Sequence, residues 1–182
     1  MTYDEIINYI EGLPPFVPVK REDGRPLFDL ETVTELAARL DNPQDRFKAV
    51  HIAGTNGKGS TAEFLSEIMI SSGYKTGLFT SPYLKCIREQ TKINSEIISK
   101  QDFAEVFSDV IEKAEEMKAE GMNAPSEFEM DVCASFLYFA KCKCDIVIQV
   151  CRIIGINYCT SCIPRLMCND RCAVFMYVTN DT

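Results

Sequence analysis

Glycines at 54, 57 and 59, with Lys58 among them and Ser60 and Thr61 behind, stand between an apolar run and a helix-forming segment. The stretch reads Val50-His51-Ile52-Ala53-Gly54-Thr55-Asn56-Gly57-Lys58-Gly59-Ser60-Thr61. Glycine lets a backbone turn with positive φ and bring its N–H groups up against an anion, an approach that a side chain would obstruct. Lys58 adds a point charge. A helix starting near Gly59 aims its N–H groups and the positive end of its dipole at the same place. The combination suits the phosphates of a nucleoside triphosphate. A glycine-rich turn without a ligand is the bland alternative, and the lysine with both flanks argues against it.

Three further groups could do chemistry. Thr80-Ser81-Pro82-Tyr83 ends a second apolar run, and on residue types alone it is a Ser-Pro turn. Arg88-Glu89 is a solvated pair on a loop, worth little energetically. Ser126-Glu127-Phe128-Glu129-Met130 opens a helix, and Ser126 with Glu129 has the S-x-x-E spacing of a capping box. The single histidine, His51, lies inside the strand before the glycine loop and is expected to pack there.

The elements that position these groups follow from periodicity. Ile6, Ile7, Tyr9 and Ile10 suit a short helix ending at Gly12. Pro14, Pro15 and Pro18 keep the next stretch extended. A helix over Leu30–Leu40, capped by Asp29, buries Leu30, Val33, Leu36, Ala37 and Leu40. Phe47–Ala53 is a buried strand whose carboxyl end delivers the glycine loop, where open parallel sheets place ligands. Ala62, Leu65, Ile68 and Met69 form the packed face of the following helix, which ends at Gly73. Tyr74–Thr80 is the second strand, laid parallel to the first by a right-handed crossover. Ser99 caps a helix to about Glu120, with Phe103, Val106, Phe107, Val110, Ile111 and Ala114 as its buried stripe. Asp145–Val150 is a third strand.

The glycine loop misses the general G-x-x-x-x-G-K-[ST] pattern, with Ile52 and Gly59 where glycine and a hydroxyl would stand. Its G-T-N-G-K-G-S-T form resembles the Mur ligase and folylpolyglutamate synthase superfamily, and H-I-A-G-T-N-G-K-G-S-T is most similar to the folate branch. The segments Thr80–Tyr83, Ile93-Asn94-Ser95-Glu96-Ile97-Ile98-Ser99 and Ser126–Met130 resemble the same branch. Departures are Gln90, where an arginine is common, and the absence of a V-G-x-G-G-R-x-D-A-T-N continuation after Val150. The resemblance ends there.

The resemblance implies a P-loop NTPase-like Mur ligase central domain. The activity implied is ATP-dependent ligation of L-glutamate to folate or dihydropteroate through an acyl phosphate. ATP would lie on Gly54, Thr55, Asn56, Gly57, Lys58, Gly59, Ser60 and Thr61, with Lys58 also catalytic. Mg2+ would be held by Ser81 and Glu129, and Glu129 as ligand is preferred here over Glu129 as cap. Ser81, Pro82, Tyr83, Arg88 and Glu89 would face the pterin substrate. A generic P-loop NTPase is disfavoured because the third strand ends in Gln149-Val150 and not in a Walker-B aspartate. A non-catalytic nucleotide-binding fragment is the other rival.

The 182 residues, with 46% hydrophobic and 25% charged, suit a globular domain, and the net charge of −8 argues against nucleic acid or an anionic membrane as partner. Neither a signal segment nor a membrane span is legible, so a cytoplasmic protein is expected, monomeric when intact. Cys86, Cys133, Cys142 and Cys144 fall in regular elements and are read as reduced. Cys151, Cys159, Cys162, Cys168 and Cys172 crowd the end, where lysine and glutamate vanish after residue 150. Their spacing is a poor zinc signal and a disulfide staple has no better support. The expectation is therefore an α/β fold, a mostly parallel sheet with flanking helices. Residues 1–150 would form the first part of the ATP-binding domain, and 151–182 a cysteine-rich tail produced by a change of reading frame.

Overall fold

The computed structural model describes residues 1–13, 19–20, 26–27, 31–54, 56–150 and 172–178. In chain order its elements are α1 (Tyr3–Glu11), β1 (Val19–Lys20), β2 (Pro26–Leu27), α2 (Glu31–Arg39), β3 (Lys48–Gly54), α3 (Lys58–Ser71), β4 (Thr76–Phe79), β5 (Thr91–Ile93), β6 (Glu96–Ile97), α4 (Lys100–Ala119), α5 (Glu127–Lys141), β7 (Ile146–Val150) and β8 (Cys172–Val178). Pro14, Pro15, Pro18, Asp29, Leu30, Thr55, Cys151, Cys159, Cys162 and Cys168 lie outside the described residues. The chain divides into two compact units, Met1–Pro43 with Lys100–Tyr138, and Gln44–Ser99 with Phe139–Thr182.

The second unit is built on a sheet of order β6-β5-β4-β7-β3-β8. β7 pairs in parallel with β3, from Lys48↔Ile146 to Ile52↔Val150, and with β4, from Thr76↔Ile146 to Phe79↔Gln149. β7 is buried on both faces from Val147 to Val150, as a covered parallel sheet requires. Alternate residues sort the faces. Val50, Ile52, Leu78, Ile148 and Val150 join Ala62 of α3 in one buried cluster, against which Leu65 and Met69 pack. Ile68, expected on that face, is 59% exposed together with Phe64. At about 100° per residue Ile68 sits roughly 120° around the helix from Ala62, so it cannot share the face that Ala62, Leu65 and Met69 make.

On the other face Phe139, from the last turn of α5, lies against β4. A Cβ added at Gly77 would come within 2.7 Å of its Cδ1. Phe47 meets the same ring edge-on at 6.2 Å. β5 and β6 form an antiparallel hairpin whose turn residues Asn94 and Ser95 adopt φ of 49° and 67°, the left-handed region that such tight turns demand. Asn94 Oδ1 also accepts from the Thr76 N–H at 2.9 Å. The hairpin is tied to α3 by Lys92–Glu63 at 2.6 Å and by the Ser95 hydroxyl on Glu67.

Residues 172–178 form β8, paired in parallel with β3. The sheet thus has a fourth parallel strand beyond those expected from the sequence, drawn from the cysteine-rich end. Of the cysteines whose side chains are described, Cys86, Cys133, Cys142 and Cys144 form no disulfide among the described residues.

The other unit is helical. α4 buries Phe103, Val106, Phe107, Val110, Ile111, Ala114 and Met117, and packs against α1 and α2. Tyr3 meets Phe103 edge-on, and Phe103 stacks on Phe107. Arg39 of α2 joins Glu35 at 2.7 Å and Glu120 beyond α4. Thr2 and Glu5 close a reciprocal capping box on α1. Among the described residues no helix is long and apolar enough to cross a membrane.

Gly77→Ala should lower the unfolding free energy by about 1–3 kcal/mol through overpacking. In urea melts that loss should shrink when Phe139 is already leucine, because the two changes share one space.

Candidate phosphate-binding site

Of the three glycines expected to turn, Gly57 does so. Gly54 is the last residue of β3, and Gly57 takes φ 74°, ψ 0° as the residue before α3. An L side chain there would cost about 1–2 kcal/mol. Gly59 was expected to turn with positive φ, but it lies inside α3 and is not among the residues with that backbone. A Cβ there would meet nothing within 4 Å, so its glycine keeps the first turn open from outside. α3 starts at Lys58. No side chain caps it, and its first turn carries no acidic residue. A helix start left this way offers N–H groups and a positive dipole end to an anion. Thr61 is already turned into the helix, its N–H bonding to Gly57 O at 2.9 Å. Asn56 and Ser60 are exposed and Lys58 is half-buried.

Because β3, β4 and β7 run parallel, their carboxyl ends share one sheet edge with this loop. Ser81 follows β4 there, joined to Pro82 by a cis peptide. Its Oγ is buried and has no hydrogen-bond partner. Gln149 stands near the end of β7, in register with His51 on one side and Phe79 on the other. It is 2% exposed, and its Oε1 is likewise buried without a partner. A buried polar atom left unmet costs about 1–3 kcal/mol, so each of these oxygens is an unmet cost in the structure as it stands. A hard cation prefers oxygen donors, and Ser81 fits that role. Among the described residues no cluster of three His, Cys, Asp or Glu could hold a metal ion. His51 is buried in β3.

The segment after Ser81 is organised by the residues expected to touch substrate. Glu89 Oε2 accepts from the N–H of Leu84 at 3.0 Å and of Lys85 at 3.2 Å. Arg88 Nη1 donates to Ile98 O at 2.7 Å. Both are structural ties and not the loose solvated pair that residue types alone suggest. Tyr83 and Leu84 are exposed on the loop that Glu89 holds. Thr80 N–H bonds to the carbonyl of buried Gln90 at 2.9 Å, which returns the chain to the sheet.

Glu129 belongs to the helical unit. Its Oε2 accepts from Ser126 N at 2.7 Å and Ser126 Oγ at 2.6 Å. The capping box therefore forms at the start of α5, and it engages one of the two carboxylate oxygens.

Comparison with known proteins decides what this arrangement resembles. No protein-family model matches the sequence. The dihydrofolate synthase/folylpolyglutamate synthase of Bacillus subtilis is 37% identical over 147 residues, 80% of this chain and 32% of that protein. The human mitochondrial folylpolyglutamate synthase is 35% identical over 151 residues, 81% of this chain and 26% of that one. The folylpolyglutamate synthase of Thermotoga maritima superposes with a TM-score of 0.74 at 33% identity, covering 84% of this chain and 34% of that chain. An FPGS–AMPPCP–folate complex gives a TM-score of 0.76 at 27% identity, covering 85% and 36%.

The chain is a relative of the folylpolyglutamate and dihydrofolate synthases. It spans about a third of the length of the curated relatives it matches. The resemblance carried by the glycine loop is thus met by sequence and fold together, as is the expected α/β class with its mostly parallel sheet. Sequence reasoning missed one residue within this synthase-like sheet. It treats Gln149 only as the lack of a strand-end aspartate. The signal available was a single polar residue within the apolar run Ile146–Val150.

The backbone donors from Leu84 and then Lys85, with Cys86 beside them, hold the Glu89 carboxyl below the usual carboxylate range. A carboxyl depressed in the folded state contributes stability that is fully present above the ordinary glutamate value, about 4.3. That contribution fades as pH falls through the lower folded value. Hydrogen exchange at the Leu84 and Lys85 amides should therefore be protected at pH 6. The protection should be lost only in acid below the ordinary glutamate range, and absent at both pH values in Glu89→Gln.

Proposed function

We propose that the chain supplies the nucleotide-binding part of an ATP-dependent ligase that joins L-glutamate to folate or dihydropteroate. The observation that carries this reading is the uncapped start of α3, reached through left-handed Gly57 and bearing Lys58, at the carboxyl edge of a parallel sheet. The similarity to synthases of this activity supports it, as does the AMPPCP and folate named for one solved neighbour.

In this reading the α3 N–H groups and Lys58 receive the ATP phosphates and offset the charge that develops on the γ-phosphoryl group. A substrate carboxylate oxygen attacks the γ-phosphorus, the bond to ADP breaks, and an acyl phosphate forms. The glutamate amine then attacks the acyl carbon. Phosphate leaves, the amide forms, and one proton is released. Magnesium, when bound, shields the phosphate oxygens, and Ser81 Oγ is an oxygen held ready for it. Glu129 is the second proposed ligand, through the oxygen that its cap does not use. The Ser81–Tyr83 segment, with Arg88 and Glu89 bracing it, faces the pterin. On this reading the intact protein is a cytoplasmic monomer without a nucleic-acid partner.

Lys58→Ala should abolish binding of an ATP analogue in isothermal titration, because the charge it supplies is lost while the fold is not. Equal binding by wild type and variant would unseat the phosphate assignment.

Glu129→Gln separates the two uses of that side chain. Glutamine can still accept from Ser126, so thermal stability should change by less than about 1 kcal/mol. Enhancement of nucleotide binding by magnesium should fall, since a hard cation gains less from an amide than from a carboxylate. A lower melting temperature with the magnesium response intact would leave Glu129 as a cap alone.

A further inference from the structure

The two flanks of α3 are used unequally. Ala62, Leu65 and Met69 face the sheet. At about 100° per residue, Glu63 lies roughly 130° round the helix from that face in one direction and Phe64 roughly 130° in the other. The first flank is taken, because Glu63 holds Lys92 and Glu67 holds Ser95 of the β5–β6 hairpin. The second carries Phe64, 72% exposed, with Ile68 one turn behind it at 59%. Ser60 and Thr61 precede Phe64 by four and three residues, so they are its neighbours one turn nearer the helix start. A helical side chain leans toward the amino end and covers the turn before its own Cα. The Phe64 ring is thereby directed at the turn that carries Ser60 and Thr61.

We infer that Phe64 is the platform on which the base of a bound nucleotide stacks, with Ile68 extending the same apolar surface. The inference rests on the nucleotide reading of the glycine loop and adds the base to it. With the phosphates on the start of α3, the hairpin closes one flank of the helix to the nucleoside. The other flank presents a flat apolar ring next to the hydroxyl residues of the first turn. A base offers a π-face of its own and stacks on an aromatic ring whatever groups its edge carries. An exposed apolar surface continuous with a polar site is also what a ligand with both characters covers. Phe64 is on this account a specificity residue, because it favours a nucleoside triphosphate over bare polyphosphate.

The test is isothermal titration of the full chain, with magnesium, against AMPPCP and against inorganic tripolyphosphate. Wild type should bind AMPPCP the more tightly of the two. Phe64→Ala should bind AMPPCP roughly tenfold more weakly, the loss expected for one base–aromatic stack, and tripolyphosphate as wild type does. Phe64→Trp should keep the AMPPCP affinity. Lys58→Ala should lose both ligands. Melts of Phe64→Ala should match wild type, since the ring it removes is exposed. If a variant does not fold, wild type alone carries the test: nuclear Overhauser contacts should join the Phe64 ring protons to the adenine H8 or H2 of AMPPCP.

Unchanged AMPPCP affinity in Phe64→Ala would overturn the inference, and so would an equal loss of both ligands. If that variant instead dissolves a dimer seen by light scattering and keeps AMPPCP, the face belongs to a second copy and the inference falls. Wild type binding tripolyphosphate as tightly as AMPPCP removes the platform and leaves the phosphate site standing. Wild type binding neither ligand removes the nucleotide reading itself and this inference with it.

Discussion

The parallel insertion of β7 between β3 and β4 is the constraint on which the sheet unit depends. Each of its residues from Ile146 to Gln149 is opposed on both sides by a parallel neighbour, so all three strands point the same way. A parallel sheet then brings all carboxyl ends to one edge. The glycine loop leaves from β3 at that edge, Ser81 follows β4, and Gln149 stands near the end of β7. Three groups far apart in sequence are thereby brought toward one end of the sheet.

What surrounds that edge is held by small, local interactions. Glu89 gathers the amides that follow Ser81 and Arg88 anchors to Ile98. The β5–β6 hairpin is pinned to α3 through Lys92–Glu63. A pair as exposed as this contributes modestly, on the order of 1 kcal/mol or less. Its value is positional, because it keeps the hairpin and α3 in one arrangement. The apolar cluster of Val50, Ile52, Ala62, Leu78, Ile148 and Val150 supplies the stability beneath them.

The relatives place this chain in context. Their similarity covers most of its length while the chain covers about a third of theirs. Within that shared part lie the left-handed Gly57 and the uncapped start of α3, while Thr55 lies outside the described residues. β8, from the cysteine-rich end, lies beside β3 and adds a fourth parallel strand to the sheet.

Much of this was legible in the residues because it is local. The helix over Tyr3–Glu11, the stripe of α4, the strand leading into Gly54 and the turn at Gly57 all follow from spacing and from what glycine alone permits. Glu129 as a cap was legible for the same reason, since a box needs only residues three apart. Pairing was not legible. Nothing in the order of the strands says that the last of the three expected strands sits between the first two, and hence that Gln149 lies in register with both His51 and Phe79. Periodicity also misplaced Ile68, because an apolar residue two-thirds of the way round a helix looks like its packed neighbours until a sheet selects the face. The sequence determined which segments could turn, cap and bury. The tertiary fold decided which buried oxygens were left without partners, because satisfaction is a property of surroundings and surroundings are set by contacts between residues distant in the chain.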